Sequence, residues 1–173
     1  MPLHLEPLDV SDDLEKYGSV LIVSCPICPP VSLATDQGSP FIQFFKSGVK
    51  TPAYEDFIHE TRDSLEQRGV KTGVFTTYAP CPAMCLWTKG QRNRLRRRAR
   101  SYEAVLVMGC ESARQIAEQA LNDTDCKVIL GMQLVGITNA TVNFRFPLTI
   151  DFEGAARVRA NEKAGDESPF GVR

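Results

Sequence analysis

Ala104-Val105-Leu106-Val107-Met108-Gly109-Cys110, followed by Glu111-Ser112-Ala113-Arg114-Gln115-Ile116-Ala117, is the stretch on which the fold turns. Five apolar residues without a polar interruption suit a short strand covered on both faces, which is the signature of a parallel sheet. Gly109-Cys110 then turns the chain into a segment whose Ala113, Ile116, Ala117, Ala120 and Leu121 recur at helical spacing. The same pattern extends outward in both directions. Upstream, Val20-Leu21-Ile22-Val23 is a second β-branched run, stopped by Cys25-Pro26-Ile27-Cys28-Pro29-Pro30. Thr51-Pro52 reads as an N-cap with proline at the first helical position, and Tyr54, Phe57, Ile58, Thr61 and Leu65 carry that helix to Gly69. Val70 to Tyr78 predicts another strand, a basic helix is expected from about residue 83 to 100, and Cys126 to Leu134 holds a strand around Val128-Ile129-Leu130.

Three stretches fit this alternation less well. Residues 1 to 18 read as a polar lead-in. Val31 to Thr51, punctuated by Gly38, Pro40 and Gly48, reads as a long loop docked by Phe41, Ile42, Phe44 and Phe45. After Gly136 the alternation of Val142, Phe144 and Phe146 predicts one or two irregular or antiparallel strands, and from Arg157 the chain reads as a polar tail. Strands alternating with helices imply right-handed crossovers on a parallel sheet. The expected architecture is α/β: a three-layer sandwich with a mainly parallel sheet, flavodoxin-like or Rossmann-like. It occupies residues 1–156 as a single domain, with residues 157–173 as the tail.

The chain has 173 residues, 43% of them hydrophobic and 24% charged, so it can build a core without a disulfide or metal staple. Twenty basic and 21 acidic residues give a net charge of −1, and no global field recruits nucleic acid or a membrane. No apolar run reaches the length of a membrane span, and the N-terminal residues lack the pattern of a signal peptide, so a cytoplasmic location is expected.

Six cysteines then need a reason of their own. In an open parallel sheet, ligands bind beyond the carboxyl ends of the strands. Cys25 and Cys28 follow the first strand, Cys81 and Cys85 the second, and Cys110 the third, so five thiols are expected at one edge; Cys126 precedes a strand and belongs at the opposite one. Soft thiolates select zinc, copper(I) or iron–sulfur clusters. Burial alone accounts for any single cysteine of the five, since free cysteine is among the most buried residue types. A redox pair at Cys25 and Cys28 is disfavoured, because a thioredoxin-type motif opens a helix directly and a loop is expected here.

Other motifs are sparse. Lys89, Arg92, Arg94, Arg96, Arg97, Arg98 and Arg100 crowd one helix. That run suits an acidic partner surface or a solvated helix face better than nucleic acid, because no aromatic residue is interleaved. The histidines, His4 and His59, fall in the lead-in and within a covering helix, and neither is placed for catalysis. No glycine-rich phosphate loop is present.

The order of these features resembles the methylenetetrahydrofolate reductase C-terminal domain family, which includes the MetV-type small subunit. The resemblance rests on the strand ending in Cys25 and Cys28, on Cys81, on Glu103 to Cys110 with Gln115-Ile116-Ala117-Glu118, and on Lys127-Val128-Ile129-Leu130-Gly131-Met132, and it covers about residues 18 to 140. It implies a zinc- or iron–sulfur-bearing accessory subunit, non-catalytic itself, that partners an oxidoreductase or methyl-transfer enzyme of tetrahydrofolate-linked one-carbon metabolism. Cys25, Cys28, Cys81 and Cys110 carry over as candidate metal ligands, and the position of Cys85 beside Cys81 after the second strand adds it as a further cofactor contact. The family's cysteine-rich C-terminal block is missing, since no cysteine follows Cys126. Two other classes remain open: a thiolate enzyme using Cys110, activated at its helix N-terminus with an anionic substrate held by Arg114 or the basic helix, and a metal-free binding module that docks an acidic protein through the arginine helix.

Overall fold

Every residue of Ala104–Met108 is buried, as a strand covered on both faces requires. The computed structural model describes residues 2–159. In chain order its elements are strand β1 (Leu3–Pro7), helix α1 (Ser11–Leu14), β2 (Ser19–Ser24), α2 (Cys28–Gln37), β3 (Ile42–Gln43), α3 (Phe44–Ser47), α4 (Pro52–Gln67) and β4 (Lys71–Thr76). A 3-10 turn (Met84–Leu86) precedes α5 (Lys89–Ala99), β5 (Ala104–Met108), α6 (Glu111–Leu121), β6 (Lys127–Leu130), β7 (Met132–Arg145) and β8 (Thr149–Arg159).

Four of the strands form a wholly parallel sheet in the order β4-β2-β5-β6. Side chains alternate across it because the strand period is two. Val20, Ile22, Leu106 and Met108 face Leu33 of α2 and Tyr54, Ile58 and Leu65 of α4. Leu21, Val23, Val105 and Val107 face Met84, Trp87, Leu95 of α5 and Ala113, Ala117 and Leu121 of α6. The α/β class and the parallel sheet thus follow the sequence expectation. The strand order reverses at β2: the chain leaves β2 for β4 on one side, then returns past it to β5 on the other.

The remaining strands form a second, antiparallel sheet in the order β1-β7-β8-β3. Here the expectation of one mainly parallel sheet is corrected. The lead-in is strand β1, whose Leu5 is fully buried in the same core as Ile22 and Leu106. The stretch after Gly136 belongs to a long two-stranded hairpin, β7 and β8, and β8 continues through Arg157 and Val158 to Arg159 where a tail was expected. Residues 160–173, the rest of the expected tail, lie outside the described residues.

Val31–Thr51 is not a loop. Helix α2 begins at Cys28 with Pro29 and Pro30 in its first turn, and Gly38 ends it at φ 58°. Prolines are tolerated there because the first-turn N–H groups have no partner within the helix. Among the described residues no helix is long and apolar enough to cross a membrane.

Candidate functional site: the thiol-bearing edge of the parallel sheet

The carboxyl ends of β2 and β5 lie side by side, and the order in which the chain adds strands to the sheet reverses between them. Such a switch point leaves a crevice between two loops that run apart, which is where open α/β sheets bind ligands. Cys25 and Cys28 follow β2, and Cys110 follows β5.

Cys25 is clamped in place. Its N–H donates to the Met108 carbonyl at 3.0 Å, extending the β2–β5 pairing by one residue. The same carbonyl accepts from the Tyr54 hydroxyl at 3.1 Å, which ties α4 to the joint. The side chain is 6% exposed, and this burial pushes its thiol up to about 12, although backbone N–H groups of Met84 and Ile27 face the sulfur. In the metal-free chain Cys25 is therefore a neutral thiol at neutral pH.

Cys28 is the first residue of α2 and half-buried. It takes part in an arrangement that covers the free edge of β1. The Leu3 N–H faces the Cys28 sulfur, and the Leu5 N–H donates to Ser32 Oγ at 2.9 Å. The fit is metric: four residues of helix rise about 6 Å and two residues of strand about 6.8 Å, so positions i and i+4 of α2 match alternate N–H groups of the edge strand. Burial raises the Cys28 thiol, more than the Leu3 N–H lowers it.

Cys110 is the N-cap residue of α6, half-buried, and its side chain makes no capping hydrogen bond. It packs against both core clusters, as a residue beyond the sheet's end can. Gly109 lets its loop approach the first one: a Cβ added there would stand 3.3 Å from Cys25 Cβ and 2.9 Å from Ala113 Cβ. Cys85 is exposed in the 3-10 turn, and Cys81 is half-buried with its sulfur 3.7 Å from the Ala83 carbonyl. Gln91 of α5 holds this third loop, donating from Nε2 to the Cys81 carbonyl at 2.6 Å while it completes a capping box with Thr88.

The five thiols influence one another through space. A thiolate at Cys110 raises Cys25, Cys28 and Cys85, and one at Cys81 raises Cys85, in each case after the larger effect of desolvation. Cys126, just before β6, lies at the opposite edge, where burial alone raises its thiol. The division of five cysteines against one is therefore as the strand order implied. Proximity is not coordination, however. Among the described residues no three His, Cys, Asp or Glu side chains stand together as a cage able to hold a metal ion.

Two further features differ from their sequence reading. His4 is fully buried in β1, with Nδ1 2.9 Å from Thr138 Oγ1 and Nε2 in contact with Asp36 Oδ1 at 3.1 Å, outside hydrogen-bond geometry. It joins β1, β7 and α2 and does not sit in a loose terminus. The only sequence signal was the alternation of Leu3, His4, Leu5 and Glu6, too short to distinguish from chance. His59 is exposed on α4. On α5, two arginines of the basic run fasten the helix to α6: Arg92 Nη1 donates to Gln119 Oε1 at 3.1 Å, and Arg96 Nε to the Ala120 carbonyl at 2.9 Å. Arg94, Arg97, Arg98 and Arg100 are exposed.

No family model matches this chain, and no curated protein or solved structure compared with it is significantly similar to it, so the reading of the thiol edge stands on the residues and geometry above.

Proposed function

We propose that the protein binds a soft metal, as zinc or an iron–sulfur cluster, at the carboxyl edge of its parallel sheet, with Cys25, Cys28, Cys81 and Cys110 as ligands and Cys85 available beside them. The observation that carries this reading is that three loops, distant in sequence, bring five cysteines to the carboxyl edge of one parallel sheet. The Cys25 and Cys28 thiols, raised by burial, are poor nucleophiles, whereas a metal ion would supply positive charge and displace their protons. Backbone N–H groups already facing the sulfurs of Cys25 and Cys28 are the kind of contact that tunes a cluster's potential. Because no cage is preformed, loading requires these side chains to turn toward one another, which ties metal binding to local stability. A finer assignment, as an accessory subunit of a tetrahydrofolate-linked or methyl-transfer enzyme, is supported by the motif resemblance alone, and a flavodoxin-like or Rossmann-like sandwich by the alternation of strands and helices around the parallel sheet.

The test is metal analysis and an absorption spectrum on protein purified without oxygen. Bound iron with a broad visible sulfur-to-iron band, or stoichiometric zinc, is expected, with loss of metal in the Cys28→Ser and Cys110→Ser variants and retention in Cys126→Ser. Metal-free protein that takes up neither zinc nor iron and sulfide on reconstitution would overturn the proposal.

One observation favours a second reading. Helix α2 opens directly at Cys28, so the expected loop no longer argues against a dithiol pair at Cys25 and Cys28. In that case the metal-free chain would form an intramolecular disulfide on mild oxidation, and the Cys25→Ser variant would not.

A further inference from the structure

The hairpin of the antiparallel sheet ends in a patch that no element of the described chain covers. Phe146 is 99% exposed at its tip, Phe144 73% and Leu148 59%. Phe44 and Phe45 of α3, 49% and 74% exposed, stand edge to face beside it. Between them runs a mostly apolar groove of about 480 Å³, whose lining includes Ile42, Phe44, Phe144, Leu148 and the highly exposed Phe146, with Arg145 as its charged member. At about 200 Å² for a fully open aromatic side chain, the apolar surface of this patch comes to roughly 800 Å². That exceeds the roughly 300–600 Å² of the largest patch on a typical monomer and equals what one partner contributes to a standard protein–protein interface, about 800 Å².

From this geometry we propose that the hairpin tip is a homodimer interface, a second copy of this chain being the occupant. Three observations select that partner. The patch carries both a projecting ring, Phe146, and a groove able to receive one, so it is complementary to itself under a two-fold rotation, as an isologous interface must be. Of the cations at its margin, Arg145 and Lys50 are already paired within the chain, with Asp151 and Glu55, which limits like-charge repulsion between two copies to the exposed Lys46 of α3. A small apolar ligand in the groove would leave Phe45, which does not line it, in water, whereas a second copy can cover it. The interface lies on the antiparallel sheet and leaves the thiol edge free, so this inference does not depend on the metal reading.

Sedimentation equilibrium of the full chain in reducing buffer, from about 1 to about 100 µM, tests it over the weaker end of the range that interfaces of this size span. The expected result is a species of twice the 19.2 kDa chain mass. Phe146→Asp and, as an independent variant, Leu148→Asp should weaken association at least tenfold, a shift of about 1.4 kcal/mol. Phe146 has almost no intrachain contact to lose, so its variant should keep the wild-type circular dichroism spectrum. Leu134→Asp, an open apolar site at the other end of β7, should still dimerise. A monomeric wild-type chain at the highest concentration overturns the proposal, whether the groove then takes residues 160–173, lipid vesicles or another protein. Dimers that survive both hairpin variants overturn it equally.

Discussion

Replacing Gly109 with alanine should destabilise the protein by about 1–3 kcal/mol, the usual cost of forcing a methyl group into a packed interior. The backbone at Gly109 imposes no penalty, since its φ is not in the left-handed region; the cost is entirely one of space. The added Cβ would meet Ala113 Cβ at 2.9 Å and Cys25 Cβ at 3.3 Å. Ala113 is 1% exposed and has no flexible end to swing aside, so the start of α6 has to move as a unit, carrying Cys110 away from Cys25. The contact can be isolated by a double-mutant cycle. Ala113→Gly alone should cost about 1 kcal/mol through helix propensity. In that background Gly109→Ala retains only the 3.3 Å approach to Cys25, relieved by a shift of a few tenths of an ångström, and its cost should fall below about 1 kcal/mol. Urea unfolding with linear extrapolation measures all four corners. A Gly109→Ala cost that is the same in both backgrounds, or absent in the first, would refute the argument that the two loops meet through this glycine.

Two other outcomes follow from the same edge. Because burial lifts the Cys25 thiol from 9.0 to about 12, the unfolded chain ionises first as pH rises. Stability from this group is intact below pH 9.0 and is lost progressively up to about 12, an effect of about 4 kcal/mol at 1.36 kcal/mol per unit. Chemical denaturation of metal-free protein across that window should give a steeper decline for wild type than for Cys25→Ser, while buried Tyr54, also raised by desolvation, keeps a residual slope in both. Parallel slopes would show that Cys25 titrates as an exposed thiol. Ser32→Ala should cost about 1–3 kcal/mol by leaving the buried Leu5 N–H without an acceptor, and amide exchange at Leu5 should accelerate. Unchanged exchange would mean that α2 does not cover the edge of β1.

Much of the parallel sheet was legible because its signals are local. Val20–Val23 and Ala104–Met108 are unbroken apolar runs, and the proline and glycine that bound α4 act within a few residues of themselves. The assignment of cysteines to edges followed from strand direction, so five against one could be read without coordinates. Pro29 and Pro30 misled, because proline marks both a loop and a helix's first turn, and only the Cys28 and Ser32 contacts with β1 select the second. Likewise β1, five residues with a histidine second, has no reason to be a strand until β7 offers it a partner more than a hundred residues away.

The sequence by itself determined which segments alternate, which faces they bury and at which end of the sheet each thiol falls, since periodicity and strand polarity are properties of consecutive residues. Only the tertiary structure decided the order β4-β2-β5-β6 that sets Cys25 beside Cys110, the antiparallel sheet that buries His4, and the open aromatic tip at Phe146. Those depend on which distant surfaces exclude water together, and contacts of that kind leave no trace in the local pattern of either partner.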